Sequence, residues 1–103
     1  LIHEMAHVWQ HQNGGSDYMS EALWSQEYGH GYKWKESVPG TAWEDLEPEQ
    51  QAELLEEAYG YGYFTPSDSN YGKFVARIDG VDVDLTAYMN DVKSKLRNGE
   101  GAP

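Results

Sequence analysis

Apolar residues recur at helical spacing in four stretches of this chain and alternate at strand spacing in one. Residues 1–12 carry Ile2, Met5, Ala6, Val8 and Trp9 with no Pro or Gly, and Asn13-Gly14-Gly15 reads as the stop of a first helix. Ser16 or Asp17 can cap a second helix reaching Glu27, with Met19, Leu23 and Trp24 as its apolar stripe. Gly29-His30-Gly31 ends it, and residues 32–42, with Ser37, Pro39 and Gly40, read as a connecting loop. Pro48 suits the first position of a third helix, where an amide hydrogen has no intrahelical partner, and Glu47, Glu49 and Glu53 suit the positive end of its dipole. Ala52, Leu55 and Tyr59 share a face of that helix, with Leu54 and Ala58 beside them, until Gly60-Tyr61-Gly62-Tyr63 closes it. Beyond a turn-rich segment, 74–78 and 81–85 alternate on either side of Asp79-Gly80, a two-residue hairpin turn. Thr86 to Arg97, with Tyr88, Met89, Val92 and Leu96 on one side and Gly99 beyond, predicts a last helix, and residues 98–103 are expected to fray. The expected fold is mainly α, of α+β type, with a single domain over 1–97 and one short hairpin.

Size and charge narrow the partners. A chain of 103 residues has room for one modest core, and its four Trp and eight Tyr are expected to supply much of the buried area. Eighteen acidic against seven basic residues give a net charge of −11, which repels phosphate backbones and anionic lipids, so nucleic acid and membrane partners are disfavoured. No apolar run approaches the roughly 20 residues that span a bilayer. Cysteine is absent, which excludes disulfides and thiolate metal sites and leaves the compartment open; any metal must be held by His and carboxylates.

The chemistry is concentrated in His3-Glu4-Met5-Ala6-His7, an HExxH sequence within the first helix. Positions i and i+4 lie on one helix face, so His3 and His7 can offer two imidazole nitrogens to one ion, for which zinc is expected. Glu4 lies on the rim of that face, the position from which a carboxylate takes a proton from the attacking water in a zinc hydrolase. His11, eight residues after His3, has turned about 80° away and is a surface residue in this reading. A third ligand is required, and two residues compete for it. Glu49 begins the third helix, with Glu53 one turn on and able to accept a hydrogen bond from the far nitrogen of a ligand His. His30 stands in Gly29-His30-Gly31-Tyr32-Lys33-Trp34. Glu21 ranks third, since the apolar face of its own helix already accounts for that segment.

These motifs resemble known families. Glu49 and Glu53 downstream of HExxH resemble the ExxxD pattern of the gluzincin metallopeptidases, with Glu in place of the usual Asp. His30 with Trp34 resembles the third-ligand segment of the SprT-like proteases, although those are usually basic. The longer match favours Glu49: Leu1 to Gln10, Tyr32-Lys33-Trp34, and Leu46-Glu47-Pro48-Glu49-Gln50-Gln51-Ala52-Glu53 are similar to a bacterial family of Vgr-related or Rhs-element zinc metallopeptidase-like proteins, relatives of a core domain of contractile injection systems. That resemblance covers most of residues 1–64. It implies a zincin-like fold, zinc held by His3, His7 and Glu49, Glu4 as general base, a peptide or protein substrate, and association with a bacterial injection system. It also implies sheet strands ahead of the active-site helix; with His3 so near the start, the chain is expected to be the C-terminal part of a longer domain. Tyr32, Tyr59, Tyr61, Tyr63, Tyr71 and His30 are the candidates to stabilise an oxyanion. The competing class is a non-catalytic module in which zinc contributes only to stability.

Overall fold

The computed structural model describes residues 2–13 and 34–102. These form helices α1 (Ile2–Asn13), α2 (Trp34–Ser37), α3 (Pro48–Tyr61) and α4 (Thr86–Asn98), a 3-10 turn at Trp43–Asp45, and an antiparallel hairpin of β1 (Val75–Ile78) and β2 (Val81–Asp84). The class is mainly α with a two-stranded sheet, as the pattern implies. The expected helix over 17–27, Glu21, His30 and Tyr32 lie outside the described residues. No helix among the described residues is long and apolar enough to cross a membrane.

α3 organises the rest. Pro48 occupies its first turn, and Gln50 Oε1 accepts the Glu47 amide at 2.9 Å to close a capping box. The helix continues through Gly60 and stops at Gly62, whose φ of 107° and whose missing Cβ, which would run into the Asp68 side chain, both require glycine. Pro48 to Ala52 are buried all round the first turn, whereas further on only Leu54, Leu55 and Ala58 are covered. Tyr59, expected on the buried face, is 48% exposed, because by that point the helix is enclosed on one side alone.

The hairpin follows its turn chemistry. Asp79 and Gly80 take φ of 52° and 78°, the left-handed pair that matches strand twist, and Ile78 pairs with Val81, Ala76 with Val83 and Val75 with Asp84. Ala76, Ile78 and Val83 face the core, and the Leu85 amide bonds the Phe74 carbonyl at 2.7 Å to extend the ladder. At the start of α4, Asp84 Oδ1 accepts the Thr86 amide at 2.9 Å; Met89 and Val92 are fully buried, and Gly99 caps its end.

Two segments are more ordered than their composition suggests. The expected loop over 32–42 contains the helical turn of α2, and the 3-10 turn follows it, because each winds the backbone around a buried indole: Trp34, 6.1 Å from the Phe74 ring, and Trp43, 6.1 Å from that of Trp9. The residues after α4, expected to fray, reach the core, where the Gly101 carbonyl accepts a hydrogen bond from Gln51 Nε2 at 2.9 Å. Trp9 ties α1 to the same region by donating to the Leu96 carbonyl at 3.1 Å.

Candidate metal centre

α1 lies along α3 with Ile2, His3, Ala6, His7, Trp9 and Gln10 turned inward and Glu4, Met5 and Val8 exposed. The histidine face is the packed face: Ala6 and Gln10 lie just beside His3 on the helical wheel, are buried, and bring α1 close to α3. His3 and His7 therefore converge on Glu49, in the first turn of α3, where the helix dipole favours a buried carboxylate. Glu49 is fully buried. His7 Nε2 is 2.7 Å from its Oε1, and His3 Nε2 is 3.1 Å from Oε1 and 2.8 Å from Oε2. The His3, His7 and Glu49 donor atoms all lie within 4.8 Å of one another.

A buried amide chain sets the proton on His7. Gln10 Nε2 donates to the Pro48 carbonyl at 2.8 Å and to Gln51 Oε1 at 3.0 Å; Gln51 Nε2 donates to the carbonyls of Trp43 at 2.8 Å and Gly101 at 2.9 Å. These main-chain acceptors orient both amides, so Gln10 Oε1 is an acceptor at 2.7 Å from His7 Nδ1. Nδ1 must carry the proton, and a neutral His7 then directs the Nε2 lone pair at a carboxylate oxygen 2.7 Å away. Two lone pairs at that distance repel unless a proton or a metal cation lies between them.

The donor set fits zinc. Nitrogen and carboxylate oxygen are its ligand types where thiolates are absent, and ligands about 2.0–2.1 Å from a tetrahedral ion stand about 3.3 Å from one another. The 2.7 Å and 2.8 Å separations from His nitrogens to the Glu49 oxygens need to open by about half an ångström. The ring edges retain access to solvent, with the side chains of His3 and His7 22% and 16% exposed against none for Glu49.

The remaining site residues distribute as follows. Glu4 is exposed beside His3. Glu53 lies on the side of the far His3 nitrogen, at 3.7 Å from Nδ1, with Glu56 at 3.8 Å; both are ion-pair distances, too long for the hydrogen bond expected of Glu53. Burial, then the neighbouring Glu56 charge, pushes the Glu53 carboxyl above the usual carboxylate range. His11 is exposed, as expected of a surface residue. Tyr59, Tyr61 and Tyr63 follow Glu49 by ten residues or more, about 15 Å along the helix, and stand away from the centre. Tyr63 is committed to packing, with its hydroxyl donating to Asn90 Oδ1 at 2.6 Å. Sequence reasoning missed Gln10 and Gln51. The available signal was that Gln10 shares a helix face with His3 and His7.

No protein-family model, curated protein or solved structure matches this chain, so the functional reading stands on the geometry of these side chains.

Proposed function

We propose that this chain is a zincin-like, gluzincin-type zinc metallopeptidase domain, with His3, His7 and Glu49 as metal ligands and Glu4 as the general base. The observation that carries the reading is the convergence of two imidazole Nε2 atoms on one fully buried carboxylate, with the His7 ring oriented by Gln10. Zinc bound there supplies a Lewis acid that polarises a peptide carbonyl and draws the pKa of water towards about 7. The chain's own groups do the rest. Gln10 holds His7 in one tautomer and orientation, the partly exposed edges of His3 and His7 leave an approach for substrate, and Glu4 takes a proton from the attacking water and returns it to the leaving amine. The substrate in this reading is a peptide or protein, and the family resemblance extends the proposal to association with a bacterial injection system.

The test is elemental analysis of protein purified without chelators, paired with hydrolysis of quenched fluorescent peptides by the parent and by Glu4→Gln. About one zinc per chain is expected in both, with hydrolysis by the parent alone. Absence of zinc from the parent would overturn the reading; zinc without hydrolysis of any peptide would reduce it to a metal-stabilised module.

A further inference from the structure

We propose that an extended peptide bearing a basic residue pairs with the edge of β1 that faces away from β2, in the groove between that strand and the C-terminal half of α3. The inference rests on the metallopeptidase reading only for where the peptide leads. The groove has a volume of about 450 Å³ and is lined by Lys35, by Glu56, Glu57, Gly60 and Tyr61 of α3, and by residues 74–77; no residue of β2 lines it. Its strand wall finds no main-chain partner among the described residues. In a hairpin with a two-residue turn, Ile78 and Val81 exchange both main-chain bonds, and the alternation continues through Ala76 with Val83 to Phe74 with Leu85. The N–H and C=O groups of Val75 and Arg77 therefore point away from β2, and no main-chain or side-chain group among the described residues meets them. Their spacing, two residues or about 6.8 Å, is the repeat with which another extended chain presents its own donors and acceptors.

The opposite wall admits such a chain and selects its charge. A Cβ built on Gly60 meets nothing within 4 Å, so the helix backbone is open to close approach there. Of the charges in the groove, Arg77 is drawn to Asp82 at 3.2 Å and Lys35 lies over the Trp34 ring at 5.7 Å, whereas among the described residues Glu56 and Glu57 meet no Lys or Arg. In a chain of net charge −11, these two carboxylates complement a Lys or Arg side chain on the incoming peptide. Glu56 also connects the groove to the metal centre, through the 3.8 Å approach of its Oε2 to His3 Nδ1. It lies seven residues beyond Glu49, about 10 Å along α3, a distance that about three residues of extended peptide span. A basic residue seated at Glu56 and Glu57 thus places a peptide bond about three residues away at the centre.

Binding is measured apart from cleavage, by fluorescence anisotropy of short labelled peptides on the full chain carrying Glu4→Gln, with and without zinc. The probes are a lysine-bearing extended peptide, its Lys→Glu counterpart, and a version N-methylated at alternate residues. The lysine peptide is expected to bind at least about tenfold more tightly than the other two. Val75→Pro removes the outward amide while sparing the β1–β2 ladder, and Gly60→Ala narrows the groove without meeting any atom of the fold; each is expected to weaken binding about tenfold. Equal binding of the lysine and glutamate peptides, or undiminished binding by both variants, would overturn the inference. Groove-dependent binding by a protein that takes up no zinc would sink the metallopeptidase reading and leave this one standing. Zinc-dependent cleavage whose KM is indifferent to both variants would do the reverse.

Discussion

Where α1 meets the first turn of α3, the enclosed groups are His3, His7, Gln10, Glu49 and Gln51; where the hairpin and α4 close the other end of the molecule, they are Phe74, Leu85, Met89 and Val92. Both ends bury their side chains, but on different terms. Apolar contacts need nothing further once water has left, whereas each buried polar atom costs free energy until it is partnered. Gln10 and Gln51 meet that demand from within, on the carbonyls of Pro48, Trp43 and Gly101. His3, His7 and Glu49 meet it on one another, at 2.7–3.1 Å, and in the proposed reading a zinc ion would join them. One end of the protein is therefore held by apolar contacts alone, and the other, in the proposed reading, is completed by what it binds.

The strongest way to break this comparison is to remove the polar end's ligand. Zinc at about a thousand times its Kd should stabilise the parent by about 4 kcal/mol, read as an upward shift in the melting temperature, and Glu49→Ala should abolish the shift. A larger loss in His30→Ala than in Glu49→Ala would transfer the third-ligand role to His30. Next in size, Met89→Ala should cost about 3 kcal/mol in urea unfolding through the cavity it leaves, by the same amount with and without zinc. A zinc-dependent cost would show that the two ends are coupled. Gln51→Ala should cost about 2 kcal/mol, since it leaves one Gln10 amide hydrogen and the Trp43 carbonyl without their Gln51 partner in the interior, and Gln10→Ala should weaken zinc about 10- to 100-fold in a competition titration by releasing the His7 ring. Unchanged zinc affinity in Gln10→Ala would mean that α1 packing alone orients His7.

The smallest effect belongs to the apolar end and depends on pH. Thr86, first through its nearby hydroxyl and then through the amide that bonds Asp84 Oδ1, holds the Asp84 carboxyl below the usual range. With the folded pKa below the unfolded one, the folded state binds fewer protons between the two values, so this contribution is complete above the unfolded pKa and is lost as pH falls through the folded one. Asp84→Asn keeps an acceptor oxygen and removes the charge. Its small deficit in stability should therefore be constant near neutral pH and vanish in acid; a deficit that persists in acid would assign the effect to shape.

The elements legible in the sequence are those that short-range rules govern. Asp79-Gly80 specified its hairpin and register because both residues tolerate the left-handed backbone that a two-residue turn demands. Pro48 and Gly99 marked the start of α3 and the end of α4, and the four-residue interval of HExxH placed His3 and His7 on one face, since caps and helical periodicity act within a turn or two. Which face of α1 turns inward, how Gln10 and Gln51 thread the interior, why residues 99–102 return to the core, and the meeting of His3 with Glu49 across 46 residues of chain were settled by packing. A polar side chain reads alike whether it faces solvent or a neighbouring helix, and only the arrival of that helix, with carbonyls and a carboxylate at hydrogen-bonding distance, makes burying it favourable.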